Sequence, residues 1–134
     1  MQLKVLALNS SLRQDGESRT ELMLSHLVKG MRDAGADVEV VNLCDREINY
    51  CMGCFSCDTI TPGRCIIQDD MSRELYPKWL ASDLCIYATP LFHWTMNAPM
   101  KAFIERTWPV MQPFFVKSDD GGWTHPQRQE YPKA

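Results

Sequence analysis

LKVLAL (residues 3–8), running into NSSLRQDGESRTE (9–21), is the stretch whose reading decides the fold. Five of the first six residues are apolar, the pattern of a strand buried on both faces in a parallel sheet. Asn9 to Glu17 is polar and contains Gly16, so the chain loops there. Ser18-Arg19-Thr20-Glu21 reads S-x-x-E, a capping box that opens a helix. Leu24, Leu27, Val28 and Met31 follow at helical spacing, and Gly35 can close that helix.

Working outward, VEVVNL (38–43) reads as the second strand. A cysteine-rich loop runs from Cys44 to about Gln68. Asp69 and Asp70 offer N-caps for a second helix carrying Leu75, Trp79 and Leu80, which Pro77 should kink. LCIYAT (84–89) is a third strand and Pro90 to Met96 a loop. Asn97 can cap a third helix with Pro99 in its first turn, Met100, Phe103 and Ile104 on its apolar face, and Pro109 at its end. The order β-α-β-(cysteine loop)-α-β-α implies an α/β fold with a parallel sheet and right-handed crossovers. One domain over 1–134 is expected. Its segment 109–134, with Trp108 just before it, carries Pro109, Pro113, Pro126 and Pro132 among Phe114, Phe115, Trp123 and Tyr131. It reads as an extended arm rather than a strand or helix.

Three strands are few, and LCIYAT is too apolar for a comfortable open edge. The sheet is therefore expected to be incomplete, its remainder lost or supplied by another chain. The alternative is a small three-stranded fold closed by the arm.

Composition narrows the function classes. With 134 residues, 45% apolar and 23% charged, the chain has the makeup of one soluble globular domain. No apolar run is long enough for a membrane span, and the start reads as a strand rather than a secretion signal. A cytoplasmic location is the expectation, where clustered cysteines favour metal or redox use over structural disulfides. A net charge of -3 gives no basic field, so nucleic acid is a poor partner.

In doubly wound sheets ligands sit beyond the carboxyl ends of the strands. The first such loop holds the hydroxyls of Ser10, Ser11, Ser18 and Thr20, the guanidinium groups of Arg13 and Arg19, and a helix N-terminus. These are what a phosphate monoester needs. A cap on Ser18 and two solvated arginines explain the same residues equally well. Neither GxGxxG nor G-x4-G-K-[ST] occurs, which argues against a dinucleotide fingerprint or a triphosphate loop. The second loop, ATPLFHWTMN (88–97), crowds Thr89, Phe92, His93, Trp94, Thr95 and Asn97 at the same sheet edge. Apolar walls and backbone donors suit a flat heteroaromatic ring, although single aromatics more often serve packing. Both loops together are best explained by a mononucleotide with a ring system.

Four of the six cysteines are spaced C-x2-C-x2-C-x7-C: Cys51, Cys54, Cys57 and Cys65. Such a set holds an iron–sulfur cluster or zinc, or works as metal-free redox thiols. Cys44 and Cys85 lie in or beside strands and read as packing thiols.

S-S-L-R (10–13) with S-R-T (18–20), C-M-G-C-F-S-C (51–57), G-R-C-I-I-Q-D-D-M (63–71), A-T-P-L-F (88–92) and M-K-A-F-I-E-R (100–106) carry a resemblance. The chain resembles the NADPH-dependent FMN reductase group of the flavodoxin-like superfamily, and especially its iron–sulfur flavoprotein branch. The resemblance implies a flavodoxin-like doubly wound parallel sheet, a three-layer α/β/α sandwich truncated after the third strand and helix. It implies FMN, with the phosphate at Ser11, Arg13, Ser18 and Thr20. Arg19 is included in that set, although the family often has asparagine there. Pro90, Leu91, Phe92, His93 and Trp94 would lie along the ring. Cys51, Cys54, Cys57 and Cys65 match the set that holds [4Fe-4S] in that branch.

The activity implied is an NAD(P)H-dependent FMN reductase or flavin oxidoreductase without a protein catalytic dyad, since the flavin does the chemistry. Partners would be small-molecule electron donors and acceptors, and a homo-oligomer (dimer or tetramer) is expected from the aromatic arm. Two alternatives stand beside it. One is an iron–sulfur flavoprotein that takes electrons from ferredoxin and has no NAD(P)H site. The other is a truncated, non-catalytic fragment.

Overall fold

A computed structural model of the chain describes residues 2–13, 16–130 and 132. β1 (Lys4–Asn9), α1 (Arg19–Asp33) and β2 (Asp37–Asn42) form the first βαβ unit, with β1 and β2 parallel from Lys4 opposite Asp37 to Asn9 opposite Asn42. β3 (Leu84–Ala88) pairs in parallel on the other side of β1, giving the order β2-β1-β3. As the central strand, β1 is buried from Val5 onward, which is why its run is continuously apolar.

Successive residues of β1 feed opposite faces. Val5 and Ala7 meet Leu24 and Val28 of α1. Leu6 and Leu8 join Met71, Leu75, Trp79, Met100 and Phe103 in the larger core. Full burial of each large apolar side chain there contributes about 1.5–3 kcal/mol. Two helical layers thus sandwich the sheet. Leu27, expected on the apolar face of α1, is exposed. It is rotated off the line of Leu24 and Val28, beyond the reach of a narrow sheet.

The cysteine loop holds a short helix, α2 (Ser56–Thr59). Of the two expected caps on the next helix, only Asp69 acts as one, its Oδ1 accepting from Ser72 N–H at 3.1 Å. The Asp70 carboxylate instead accepts from Glu47 N–H at 2.8 Å. The helix opens with a wide π turn (Met71–Leu75), in which Tyr76 N–H reaches back to Met71 O, before α3 (Tyr76–Ala81). The irregularity expected at Pro77 therefore lies upstream of it. Pro77 has no N–H for a carbonyl one turn back, and it sits in the first turn of α3, where none is needed.

The expected loop 90–96 is a hairpin of β4 (Leu91–Phe92) and β5 (Thr95–Met96). His93 and Trp94 turn it with φ of +47° and +66°. α4 (Ala98–Glu105) follows, ending short of Pro109, which lies in a single 3-10 turn over Trp108–Val110.

The arm is not an extended tail. It forms a hairpin of β6 (Val116–Lys117) and β7 (Trp123–Thr124), with Met111 bridging to Gln127. It folds back on its own chain: Arg128 meets Asp58 at 3.4 Å, and the Trp108 and His125 rings lie 5.2 Å apart. Tyr131 of the arm lies outside the described residues. Among the described residues, no helix is long and apolar enough to cross a membrane.

Candidate functional site

The carboxyl ends of β1 and β3 meet at one edge of the sheet. Ser10 N–H donates to Ala88 O at 2.9 Å, and Ser10 Oγ–H donates to the same oxygen at 3.2 Å. Of the expected phosphate set, Ser11 and Ser18 come together, their hydroxyl oxygens 2.7 Å apart and both buried. Ser18 Oγ also accepts from Glu21 N–H at 3.2 Å, the capping bond that the S-x-x-E pattern required. Ser11 Oγ also faces Arg13, accepting from its N–H at 3.3 Å and lying 3.2 Å from its carbonyl oxygen, so either hydroxyl can donate to the other. Arg19 and Thr20 occupy the first turn of α1, where N–H groups have no intrahelical acceptor. The Arg13 and Arg19 side chains are exposed, and Thr20 is half-buried.

The second loop does not enclose a ring by itself. Leu91, Phe92 and Trp94 are 69%, 49% and 88% exposed. His93 is exposed and Pro90 half-buried. The hairpin turn lifts the aromatic side chains off the core and leaves an open platform. Its turn residues adopt a left-handed backbone that favours glycine or asparagine, a strain of about 1–2 kcal/mol at each.

Asn97, read from the sequence as a helix cap, makes no capping bond with its side chain. Buried at 2% exposure, it ties the two loops together instead. Its Nδ2 donates to Ser10 O at 2.5 Å, Thr89 Oγ1 donates to its Oδ1 at 3.2 Å, and its N–H donates to Thr89 Oγ1 at 3.1 Å.

All four loop cysteines, Cys51, Cys54, Cys57 and Cys65, line one cavity of about 430 Å³. Its walls are otherwise largely apolar, with Met52, Phe55, Ile66, Ile67 and Trp108. Phe55 (φ +53°) and Gly53 (φ +63°) bend the loop so that the thiols face one space. The sulfurs are free and do not converge on a point: among the described residues, no three His, Cys, Asp or Glu side chains are grouped to hold a single metal ion. Four thiols around a largely apolar cavity, open to solvent on the side of Cys51 and Cys54, fit a thiolate-held cluster. Burial, reinforced by the Asp58 charge, pushes the Cys57 thiol up to about 11. Hydrogen bonds from Ser56 hold Cys54 below its ordinary value. Cys85 is core, pushed up to about 12 by burial, and Cys44 Sγ donates to Ser10 O at 3.4 Å, so both are packing thiols.

Sequence reasoning missed the support behind this cavity. Arg106 is buried and grips Asp69 with two bonds, Nη1 to Oδ2 at 2.7 Å and Nη2 to Oδ1 at 2.9 Å. Nη1 also donates to Asn49 O at 2.7 Å, so one guanidinium fastens both ends of the cysteine loop to α4. On the outer side, Asp58 accepts from Trp108 Nε1 at 3.2 Å and holds Arg128, anchoring the arm against α2. The only signals were an arginine at the end of an amphipathic helix and an acidic pair before the next one, neither distinguishable from surface charge.

Comparison with known proteins bears on the family and the fold. Residues 3–118 match the family described as NADPH-dependent FMN reductase. An iron-sulfur flavoprotein of Archaeoglobus fulgidus is 33% identical over 120 residues, covering 90% of this chain and 52% of the relative. One from Methanocaldococcus jannaschii is 28% identical, covering 90% of this chain and 60% of the relative. The chain thus spans little more than half the length of these relatives. The crystal structure of an azoreductase from Bacillus anthracis superposes with a TM-score of 0.65 at 15% identity, covering 89% of this chain and 61% of that one. That likeness bears on the fold, which is flavodoxin-like. On the extent of the family match, the chain belongs to the NADPH-dependent FMN reductase family.

Proposed function

We propose that this chain binds FMN across the loops after β1 and β3 and works as a flavin-dependent oxidoreductase with NAD(P)H as donor. The observation that carries the reading is the Asn97 bridge, which locks a hydroxyl-lined helix N-terminus and an aromatic platform into one unit. The Ser11 and Ser18 hydroxyls, the first-turn N–H groups of α1, and Arg13, Arg19 and Thr20 would hold the phosphate. Pro90, Leu91, Phe92, His93 and Trp94 would lie along the ring. FMN supplies hydride and electron transfer when bound. The chain's own part is to fix the phosphate, cover one ring face and present backbone groups to the ring edge.

The cysteine cavity extends the proposal. Cys51, Cys54, Cys57 and Cys65 would hold [4Fe-4S], which supplies one-electron transfer. Thiols spread around a cavity suit a polynuclear cluster better than one tetrahedral zinc, whose four sulfurs must close on a single point. Ile66, Ile67 and Trp108 give that space an apolar wall on the side away from the exposed Cys51 and Cys54. Cytoplasmic residence, association into a dimer or tetramer, and ferredoxin as the alternative donor complete the proposal.

Anaerobic purification followed by FMN titration, a visible spectrum and iron and sulfide analysis tests the reading. Saturable flavin binding with reduction by NADPH supports it. Reduction by ferredoxin but not NADPH selects the electron-transfer alternative. No flavin binding after added FMN sinks both.

A further inference from the structure

Two buried arginine nitrogens, Arg106 Nε and Arg128 Nε, have no hydrogen-bond partner, and both residues line the same cavity of about 670 Å³. It lies between the cysteine loop, α3 and the arm, and no residue of the loops after β1 and β3 lines it. A buried donor left unpaired costs about 1–3 kcal/mol, so two in one wall call for an acceptor. The Cys65 thiol lies within hydrogen-bonding reach of the Arg106 guanidinium, and the nearby carboxylates are already committed. Asp69 takes the terminal nitrogens of Arg106, and Asp58 takes Nη2 of Arg128.

A third guanidinium, Arg64, lines the same cavity, is exposed, and has no ion pair among the described residues. Arg64, Arg106 and Arg128 against Asp58 and Asp69 leave one formal positive charge. Gly63 makes room at the rim: a Cβ there would stand 3.3 Å from Arg128 Cδ, and its φ of +79° suits glycine. Tyr76 adds a protonated hydroxyl, its pKa pushed up to about 12 by burial.

We propose that this cavity binds a small oxyanion-bearing molecule, a phosphate or a carboxylate, through Arg64, Arg106 and Arg128. Cys65 and Arg106 line both this cavity and the cysteine cavity, so the anion sits one side chain from a proposed cluster ligand.

The test is NMR of the full chain with 15N-labelled arginine, titrated separately with inorganic phosphate and acetate at constant ionic strength. The Nε–H resonances of Arg106 and Arg128 are expected to shift saturably. R64Q and R128Q are expected to weaken binding roughly tenfold or more, as loss of one charge-assisted bond implies. Tighter binding of phosphate assigns a phosphate ligand, and tighter binding of acetate a carboxylate. Absence of a saturable shift with either anion overturns the proposal, as does unchanged affinity in R64Q, whose exposed side chain leaves the fold intact. The readout needs neither flavin nor cluster, so it stands or falls apart from the FMN reading.

Discussion

Arg106 and Asp69, 37 residues apart in sequence, form a fully buried, two-bonded ion pair behind the cysteine loop. Burial alone would raise the Asp69 pKa. The Arg106 guanidinium and the N–H groups of Asn49 and Ser72 outweigh it and hold the carboxyl at about 2, below its ordinary 3.8.

A depressed carboxylate pKa stabilises the fold above its unfolded value and loses that contribution as pH falls through the folded one. Asp69 therefore contributes about 2 kcal/mol above pH 4, lost between about pH 4 and pH 2. D69N is expected to cost about 3–5 kcal/mol, since it leaves Arg106 buried without its counter-charge. Urea unfolding at neutral pH and near pH 3 measures both effects. The gap between wild type and D69N should narrow in acid, and a constant gap contradicts the assignment.

N97A should lower FMN affinity about tenfold or more and cost about 1–3 kcal/mol, because Ser10 O loses a buried donor and the Thr89 hydroxyl its Asn97 Oδ1 acceptor. Flavin fluorescence titration and thermal melts read the two separately. Affinity equal to wild type would show that the two loops need no bridge to act together.

S18A removes a helix cap worth about 1 kcal/mol along with a proposed phosphate donor. Its FMN affinity should fall while riboflavin, which has no phosphate, binds as it does to wild type. An equal fall for both ligands would place Ser18 away from the phosphate.

W94G relieves a left-handed backbone strain and removes part of the platform. The melting temperature is expected to rise while FMN affinity drops. If affinity holds, Trp94 is only a turn residue.

In metal-free protein, Cys54 should alkylate before Cys57 at neutral pH. Ser56 favours the Cys54 thiolate, whereas burial and the Asp58 charge hold Cys57 protonated to about 11. Mass-spectrometric mapping of iodoacetamide adducts over time gives the order. Once iron and sulfide are supplied anaerobically to assemble the cluster, both should be protected. Continued labelling of Cys57 would argue against its being a ligand.

Much of this was legible in the chain itself. The unbroken apolar run of β1 announced a central parallel strand, and S-x-x-E placed the start of α1 at the observed cap. The four-cysteine spacing marked a loop whose thiols do line one cavity. Local signals of this kind depend on neighbours in sequence, which is why they could be read there.

Other features depended on residues far apart. Asn97 carries the pattern of a helix cap, yet its side chain goes to Ser10 and Thr89, because a buried amide takes whichever partners the tertiary fold brings to it. The 90–96 hairpin was hidden because His93-Trp94 lacks the glycine or asparagine that marks such turns. The arm gave no periodic signal, since contacts from Trp108 and Arg128 to Asp58 hold it rather than repeating apolar positions. The linear pattern set the order of the main strands and helices, the hydroxyl- and arginine-bearing loop after β1, and the thiol set. Long-range packing set which polar groups are spent on one another and which, like the Nε atoms of Arg106 and Arg128, stay unpaired. Pairing of buried charges is a long-range competition that no local pattern encodes.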